Sequence, residues 1–305
     1  MSIAAQAKTK KKNRIHQSFG SRAFDVFNVI FMFLFLLVTL YPFWYVVIVS
    51  LSDGKAVLSG QVSLIPVNFT FDTYRVVLRD SNIVTGFKNT VIYTTLGTLI
   101  NLVCTSLCAY PLSRPDLIGK KQIMGMIVFT MFFSGGMIPS YLVMNQMRLI
   151  DTIWAMVLPG AISTYNMIVM RTFFMGIPES LHESASLDGA NDWQVLVRIV
   201  LPLSMPIMAT MLLFYAVGHW NSYMNALLYL NSKALFPLQS ILRNMVVDGQ
   251  LSEAQTQVGG GSSFTVIETT MKYATIVVST LPILMIYPFV QKYFVKGVMI
   301  GSLKG

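Results

Sequence analysis

The chain's stock of groups for proton transfer, metal binding or nucleophilic attack is three histidines, two cysteines and thirteen acidic residues. They form no reactive constellation. His16, His182 and His219 fall in separate segments, and no two carboxylates lie together inside an apolar run, so general acid–base chemistry has no paired groups to work with. Cys104 and Cys108 stand four residues apart in one apolar run. That spacing puts both thiols on one helix face, suits packing, and matches neither a disulfide framework nor a metal site. The Gly-x-x-x-x-Gly-Lys-Ser/Thr loop that cradles nucleotide phosphates does not occur. The expectation is a chain without catalysis, metal or cofactor of its own, whose chemistry is recognition.

Those residues are set in a strongly apolar chain. Of its 305 residues 54% are hydrophobic and 11% charged, with mean hydropathy +0.61, against about 25% charged in ordinary soluble domains. Six runs are long enough to cross a bilayer as helices, at about 24–51, 90–112, 123–146, 153–174, 204–230 and 273–294. The pattern predicts an all-α integral membrane protein with six transmembrane helices, a basic segment over 1–22 and a single transmembrane domain over 23–305. The first run is too long for a secretory signal's apolar core and ends without a small-residue cleavage pattern, so it is expected to be retained. An even number of crossings puts both termini on one side. With that side cytoplasmic, it holds fourteen Lys and Arg against six Asp and Glu, a net +8, while the outer segments hold eight against seven, a net +1. Inner loops are the basic ones, so the overall +9 reports topology, and no nucleic-acid partner is expected.

Several runs contain helix breakers: Gly135, Gly136 and Pro139 in the third, Pro159 and Gly160 in the fourth, Pro282 and Pro288 in the sixth. Kinks or unwound turns are expected there, which membranes tolerate where protein or a water-filled path satisfies the backbone. Asn101, Asn166, His219, Trp220, Asn221, Tyr223 and Asn225 are polar or aromatic groups inside the runs. Such groups turn toward the interior of a bundle, and amides with aromatic rings suit the hydroxyls and apolar CH faces of sugars. They are equally suited to helix-to-helix hydrogen bonding, and their spacing leaves both roles open.

The segment 176–202, between the fourth and fifth runs, falls on the cytoplasmic side. Pro178 suits a first helical turn, Glu179 the positive end of its dipole, and Gly189 a left-handed stop. Asn191 or Asp192 can cap a second helix, along which Trp193, Leu196, Val197 and Val200 recur at helical spacing before Pro202 redirects the chain. A helix, a glycine turn and a second helix form either a handle for a soluble partner or an amphipathic hairpin on the bilayer surface.

Within it, Glu183-Ser-Ala-Ser-Leu-Asp188-Gly189-Ala190, followed by Ile199-Val-Leu201-Pro202, resembles the EAA loop (178–202 here) of ABC importer permeases. Ser184 is the one departure, where the family pattern has Ala. The resemblance implies that Glu183, Ala185, Asp188, Gly189, Ala190, Ile199, Leu201 and Pro202 couple the chain to an ATPase. Trp220-Asn221 with its surroundings from Phe214 to Ala226, and the tail Val295 to Gly305, are similar to the MalG-like subunit of maltose-type carbohydrate importers. Phe133-Ser-Gly-Gly-Met-Ile-Pro-Ser-Tyr141 looks like the LplC and YtcP branch, which takes complex or uronate-containing oligosaccharides. Carried over to the whole chain, the resemblance implies a type I ABC importer permease fold in the bacterial cell membrane, with a cytoplasmic coupling helix. It also implies a second permease subunit, two ATPase subunits that bind ATP and Mg, an extracellular sugar-binding lipoprotein and an oligosaccharide cargo. The outer segment 231–270, with its Gly259-Gly-Gly261 run, would by the same resemblance probe the binding protein, and Lys296 and Lys304 of the tail would reach the ATPase. The alternative is an ion-coupled secondary sugar transporter, which needs an intramembrane ion site; Asp25, near the cytoplasmic end of the first run, is a poor provider of one.

Overall fold

The structure is a computed structural model describing residues 19–246 and 270–288. The N-terminal basic residues, the Gly259–Gly261 run and the tail with Lys296 and Lys304 lie outside the described residues. Every regular element among those described is helical.

The mast of the bundle is α4 (Ser81–Ser113), a helix of 33 residues and so about 50 Å long. It starts nine residues earlier than the apolar run that predicts it, because Asp80 caps it: the carboxylate accepts the backbone N–H groups of Asn82, at 2.8 Å, and Ile83. Its buried side carries small residues at helical spacing, Gly86, Thr90, Gly97, Asn101, Thr105 and Ala109. Helices associate in membranes through such close backbone approach, since lipid gives apolar side chains no reason to leave it. Against this side pack α8 (Thr164–Met175) and α12 (Met205–Trp220). A Cβ on Gly97 would overlap the imidazole of His219 on α12, so the α4–α12 approach depends on that glycine.

The other runs break where the breakers fall. The third becomes α5 (Lys120–Phe132) and α6 (Met137–Gln146), bent by 113°. The fourth is α7 (Trp154–Val157) and α8, separated by a turn through Pro159 and left-handed Gly160. The fifth ends as a continuous helix at Trp220 and resumes as α13 (Met224–Tyr229). Among the described residues, three helices can cross a membrane by length and composition, α1 (Phe19–Ser50), α4 and the helix Thr270–Pro288, or five crossings with each bent pair counted as one. The fourth run contributes no helix long enough by itself. Pro282 does not interrupt Thr270–Pro288, contrary to the expected break, and the sixth run's end at 294 lies outside the described residues.

Between α1 and α4 lie α2 (Gly54–Leu58) and α3 (Asp72–Arg79). They brace only the C-terminal end of α1, where Ile48 and Val49 pack with Ala56 and Val62 and Ser50 shares a 2.7 Å hydrogen bond with Tyr74. Beyond the polar turns with Arg22, Asp25 and Asn28, the rest of α1 is apolar and exposed, the condition of a helix meant for lipid or a neighbouring protein.

Candidate coupling and translocation sites

The 176–202 segment folds as its residues direct. The helix α9 (Glu179–Leu187) ends at Gly189, φ +78°. There the N–H of Ala190 donates to Ala185 O at 2.9 Å and that of Gly189 to Ser186 O at 3.0 Å, the paired bonds of a Schellman stop. Asn191 then caps α10 (Asp192–Val195): its side chain accepts from Gln194 N at 2.9 Å, and Gln194 Oε1 accepts from Asn191 N at 3.0 Å. Stop and start follow within two residues, leaving no slack between the helices. A π-helical stretch, Leu196–Val200, leads into α11 (Leu201–Leu203), and at buried Ser204 the chain turns 84° into α12. The redirection comes two residues after Pro202 because Pro202 occupies the first turn of α11, where it needs no backbone donor.

One face of this hairpin is anchored. Ala185, Val195, Leu196 and Val200 are buried with Tyr110, Leu112, Met170 and Phe174 from α4 and α8. His182 stacks on Tyr110, with ring centroids 6.2 Å apart and planes at 26°. The end of α4 is tied down as well. Arg171 Nε donates to Leu112 O at 2.7 Å and Lys120 Nζ to Arg114 O at 2.7 Å, cations on carbonyls that a helix leaves unpaired at its negative end. Arg114 faces Asp116 at 3.6 Å and Glu179 at 3.8 Å, linking α4 to the first residue of α9.

The other face is largely exposed. Glu183, Asp188 and Gly189 are exposed, Ala190, Ile199 and Leu201 half-buried, and Pro202 exposed. Leu187, 89% exposed, and Trp193, 60% exposed, stand out among them. Two large apolar side chains on a polar hairpin suit an interface better than water. Beside them lies a groove of about 540 Å³ lined by Tyr110, Arg114, Asp116, Asp192 and Trp193. Of the stripe Trp193, Leu196, Val197 and Val200, only Leu196 and Val200 face the core. Val195 takes the third place, with Ile199 half-buried beside it, so the inward face is rotated from the expected one. Sequence reading missed Leu187, Tyr110, His182 and Arg114; an apolar residue just ahead of Asp-Gly was the signal for Leu187, while the Tyr110–His182 stack had none.

The polar residues inside the runs divide into two groups. Asn101, buried, donates to Gly160 O and Ala161 O, both at 2.9 Å, and its Oδ1 meets His219 Nε2 at 2.6 Å. The break between α7 and α8 is thus closed by a side chain from α4, which matters because a buried carbonyl left unpaired costs about 1–3 kcal/mol. Tyr215 joins the same junction through Thr105, at 2.7 Å, and Ser163 N, at 3.3 Å. Trp220 is buried, donates its indole N–H to Ser279 O at 2.9 Å and lies edge-on to Phe87. Trp220 and Asn166 line a cavity of about 870 Å³ with Phe214, Pro282 and Tyr287.

Asn221 and Tyr223, by contrast, are exposed, and Asn225 is half-buried. Asn221 and Tyr223 sit where α12 has ended and α13 has not begun, 16 residues or about 24 Å from the start of α12, and Asn225 is in the first turn of α13. Backbone unwound at that depth belongs where protein or water covers it. Asn221 fixes its own amide by donating to Val217 O at 3.0 Å.

Asp151 holds the stretch after α13. Its carboxylate accepts the N–H groups of Asn231, at 2.9 Å, and Ser232, at 2.8 Å, and the Ser232 hydroxyl. These bonds hold the Asp151 carboxyl below the usual carboxylate range.

The hairpin packs one face into the bundle and leaves Leu187 and Trp193 exposed on the other, and the broken helices gather around polar groups. The family model of the binding-protein-dependent transport system inner membrane component matches residues 2–300, and the chain belongs to that family, the permeases of ABC importers. It is 44% identical over 286 residues to the polygalacturonan/rhamnogalacturonan transport system permease protein YtcP of Bacillus subtilis, covering 93% of this chain and 99% of the relative. With the protein LplC of the same organism it shares 39% over 293 residues, 95% and 98% of the two chains. In three dimensions it matches a chain of a bacterial ABC transporter involved in the import of the acidic polysaccharide alginate, with TM-score 0.83, 36% identity, and 92% and 99% of the chains covered. Membership of this family sets aside the ion-coupled alternative.

Proposed function

We propose that the chain is the MalG-like half of an importer pore for acidic oligosaccharides, paired with a second permease, driven by two ATPases that carry the ATP and Mg, and fed by an external sugar-binding lipoprotein. The observation that carries the reading is the coupling hairpin: a handle without slack, packed on one side into the bundle through Ala185, Leu196 and Val200 and offering Leu187 and Trp193 on the other. In this reading six crossings arise from α1, α4, the α5–α6 pair, the α7–α8 pair, α12 with α13, and the helix Thr270–Pro288, with both termini cytoplasmic. Closure of the ATPases draws the hairpins together. Through the α4 end and the Ser204 joint, that movement shifts the pore between inward-facing and outward-facing packings. Glu183 and Asp188 face the ATPase, and Asn221, Tyr223 and Asn225 line the sugar path.

The acidic character of the cargo rests on the relatives, one named for polygalacturonan and one that imports alginate. The test is uptake of labelled trigalacturonate into liposomes holding the full complex, with binding protein outside and ATP inside. ATP-dependent accumulation is expected; uptake driven by an ion gradient without ATP would refute the reading.

A further inference from the structure

The helix over residues 238–246, α14, has two unlike sides. Leu238, Ile241 and Met245 pack with Val77, Ile83, Phe87 and Ala274, and Leu238 N donates to Thr90 Oγ1 at 2.8 Å, so this side is fixed to α4. Gln239 and Arg243, four residues apart, share another face. Gln239 Nε2 reaches Asn221 Oδ1 at 3.5 Å, which brings this face to the gap between α12 and α13. Arg243 is exposed, and its one hydrogen bond among the described residues is to the amide of its neighbour Asn244, at 3.3 Å. None of the ion pairs among the described residues includes it. A guanidinium with no carboxylate partner among the described residues, one turn from Gln239, whose amide meets that of Asn221, itself two residues before the exposed Tyr223, is a cation held ready beside groups that suit a sugar ring.

We infer that Arg243 is this chain's reader of cargo charge: it pairs with a uronate carboxylate at the outer end of the path, while Asn221, Gln239 and Tyr223 meet the ring. The inference rests on the acidic-cargo reading above. A planar guanidinium matches a carboxylate two-pronged, giving a charge-assisted bond about twice as strong as a neutral one. Arg243 would therefore discriminate a uronate from the neutral sugar of the same shape.

The test is binding of trigalacturonate, and of its fully methyl-esterified form, to the complete complex held outward-facing by ATP and vanadate. In the wild type, the acid should bind more tightly than the ester, and the preference should shrink with added salt. Arg243→Gln should lose about tenfold in acid affinity and most of the salt dependence, with ester binding unchanged. Arg243→Lys should keep part of the preference, retaining the charge without the fork. The assignment is overturned by an unchanged acid-to-ester ratio in Arg243→Gln, or by equal losses for both ligands, which would mark a structural role. A wild-type complex that binds the ester as well as the acid would overturn the acidic-cargo reading itself and this inference with it.

Discussion

His182 anchors the 176–202 hairpin and makes that anchoring sensitive to pH. Stacked on Tyr110, it is pushed below its ordinary pKa of 6.5 by burial first and by the Arg114 charge second, against the opposing pull of Glu179, Asp116 and Asp192. The folded state therefore favours the neutral ring. The unfolded chain takes up its proton at a higher pH than the folded one, so the stabilisation is complete above about pH 6.5 and falls away below it. Melting of the purified complex, followed between about pH 8 and pH 5, should show a decline below pH 6.5 that is shallower in His182→Phe, which keeps the stack and cannot titrate. An equal decline in the variant would dissociate His182 from the effect. Among the polar residues, Asn101 is buried and engaged by two carbonyls and His219, whereas Asn221 is exposed and bonds to Val217 O of its own helix and to Gln239. Sequence alone could not separate them, since both are asparagines in apolar runs; only the break at Pro159-Gly160, folded back against α4, shows which one has unpaired backbone to satisfy.

At the scale of elements, the coupling hairpin was the most legible part of the chain, because each of its turning points is fixed by local chemistry. Gly189 takes a left-handed φ that β-branched residues adopt only at a cost of about 1–2 kcal/mol, and Asn191 with Gln194 closes a capping box. Gly189→Val should therefore re-aim α9 against α10, leaving the bundle intact. In reconstituted complexes, ATP hydrolysis should lose its dependence on loaded binding protein and uptake should fall by about tenfold or more. Normal stimulation with normal uptake would show that the turn does not transmit. Span boundaries were less legible. Asp80 extends α4 beyond its apolar run, and Gly135-Gly136 and Pro159-Gly160 split the third and fourth runs into pieces whose 113° bend and short turns are set by tertiary packing that hydropathy does not encode. Tyr110 and Arg171 were invisible for the same reason: their partners, the His182 ring and Leu112 O, are far along the chain.

For the whole molecule, the proposed cycle puts the energy source outside the chain and the handle for it in the cytoplasm. The surplus of cations on one set of loops, the basic side chains on the carbonyls ending α4 and the two exposed apolar residues of the hairpin all point to that side and to a partner there. The unattached length of α1 and the exposed α5–α6 elbow are what a subunit leaves open for lipid and for a second permease. The most direct measurement places a cysteine at Leu187, in a background lacking Cys104 and Cys108, and treats the assembled complex with a maleimide that cannot cross membranes. A cytoplasmic handle gripped by the ATPases predicts no labelling in intact cells, rapid labelling in inverted vesicles stripped of the ATPases, and protection when the ATPases are restored. Labelling from outside intact cells, or labelling that the ATPases do not affect, would contradict it.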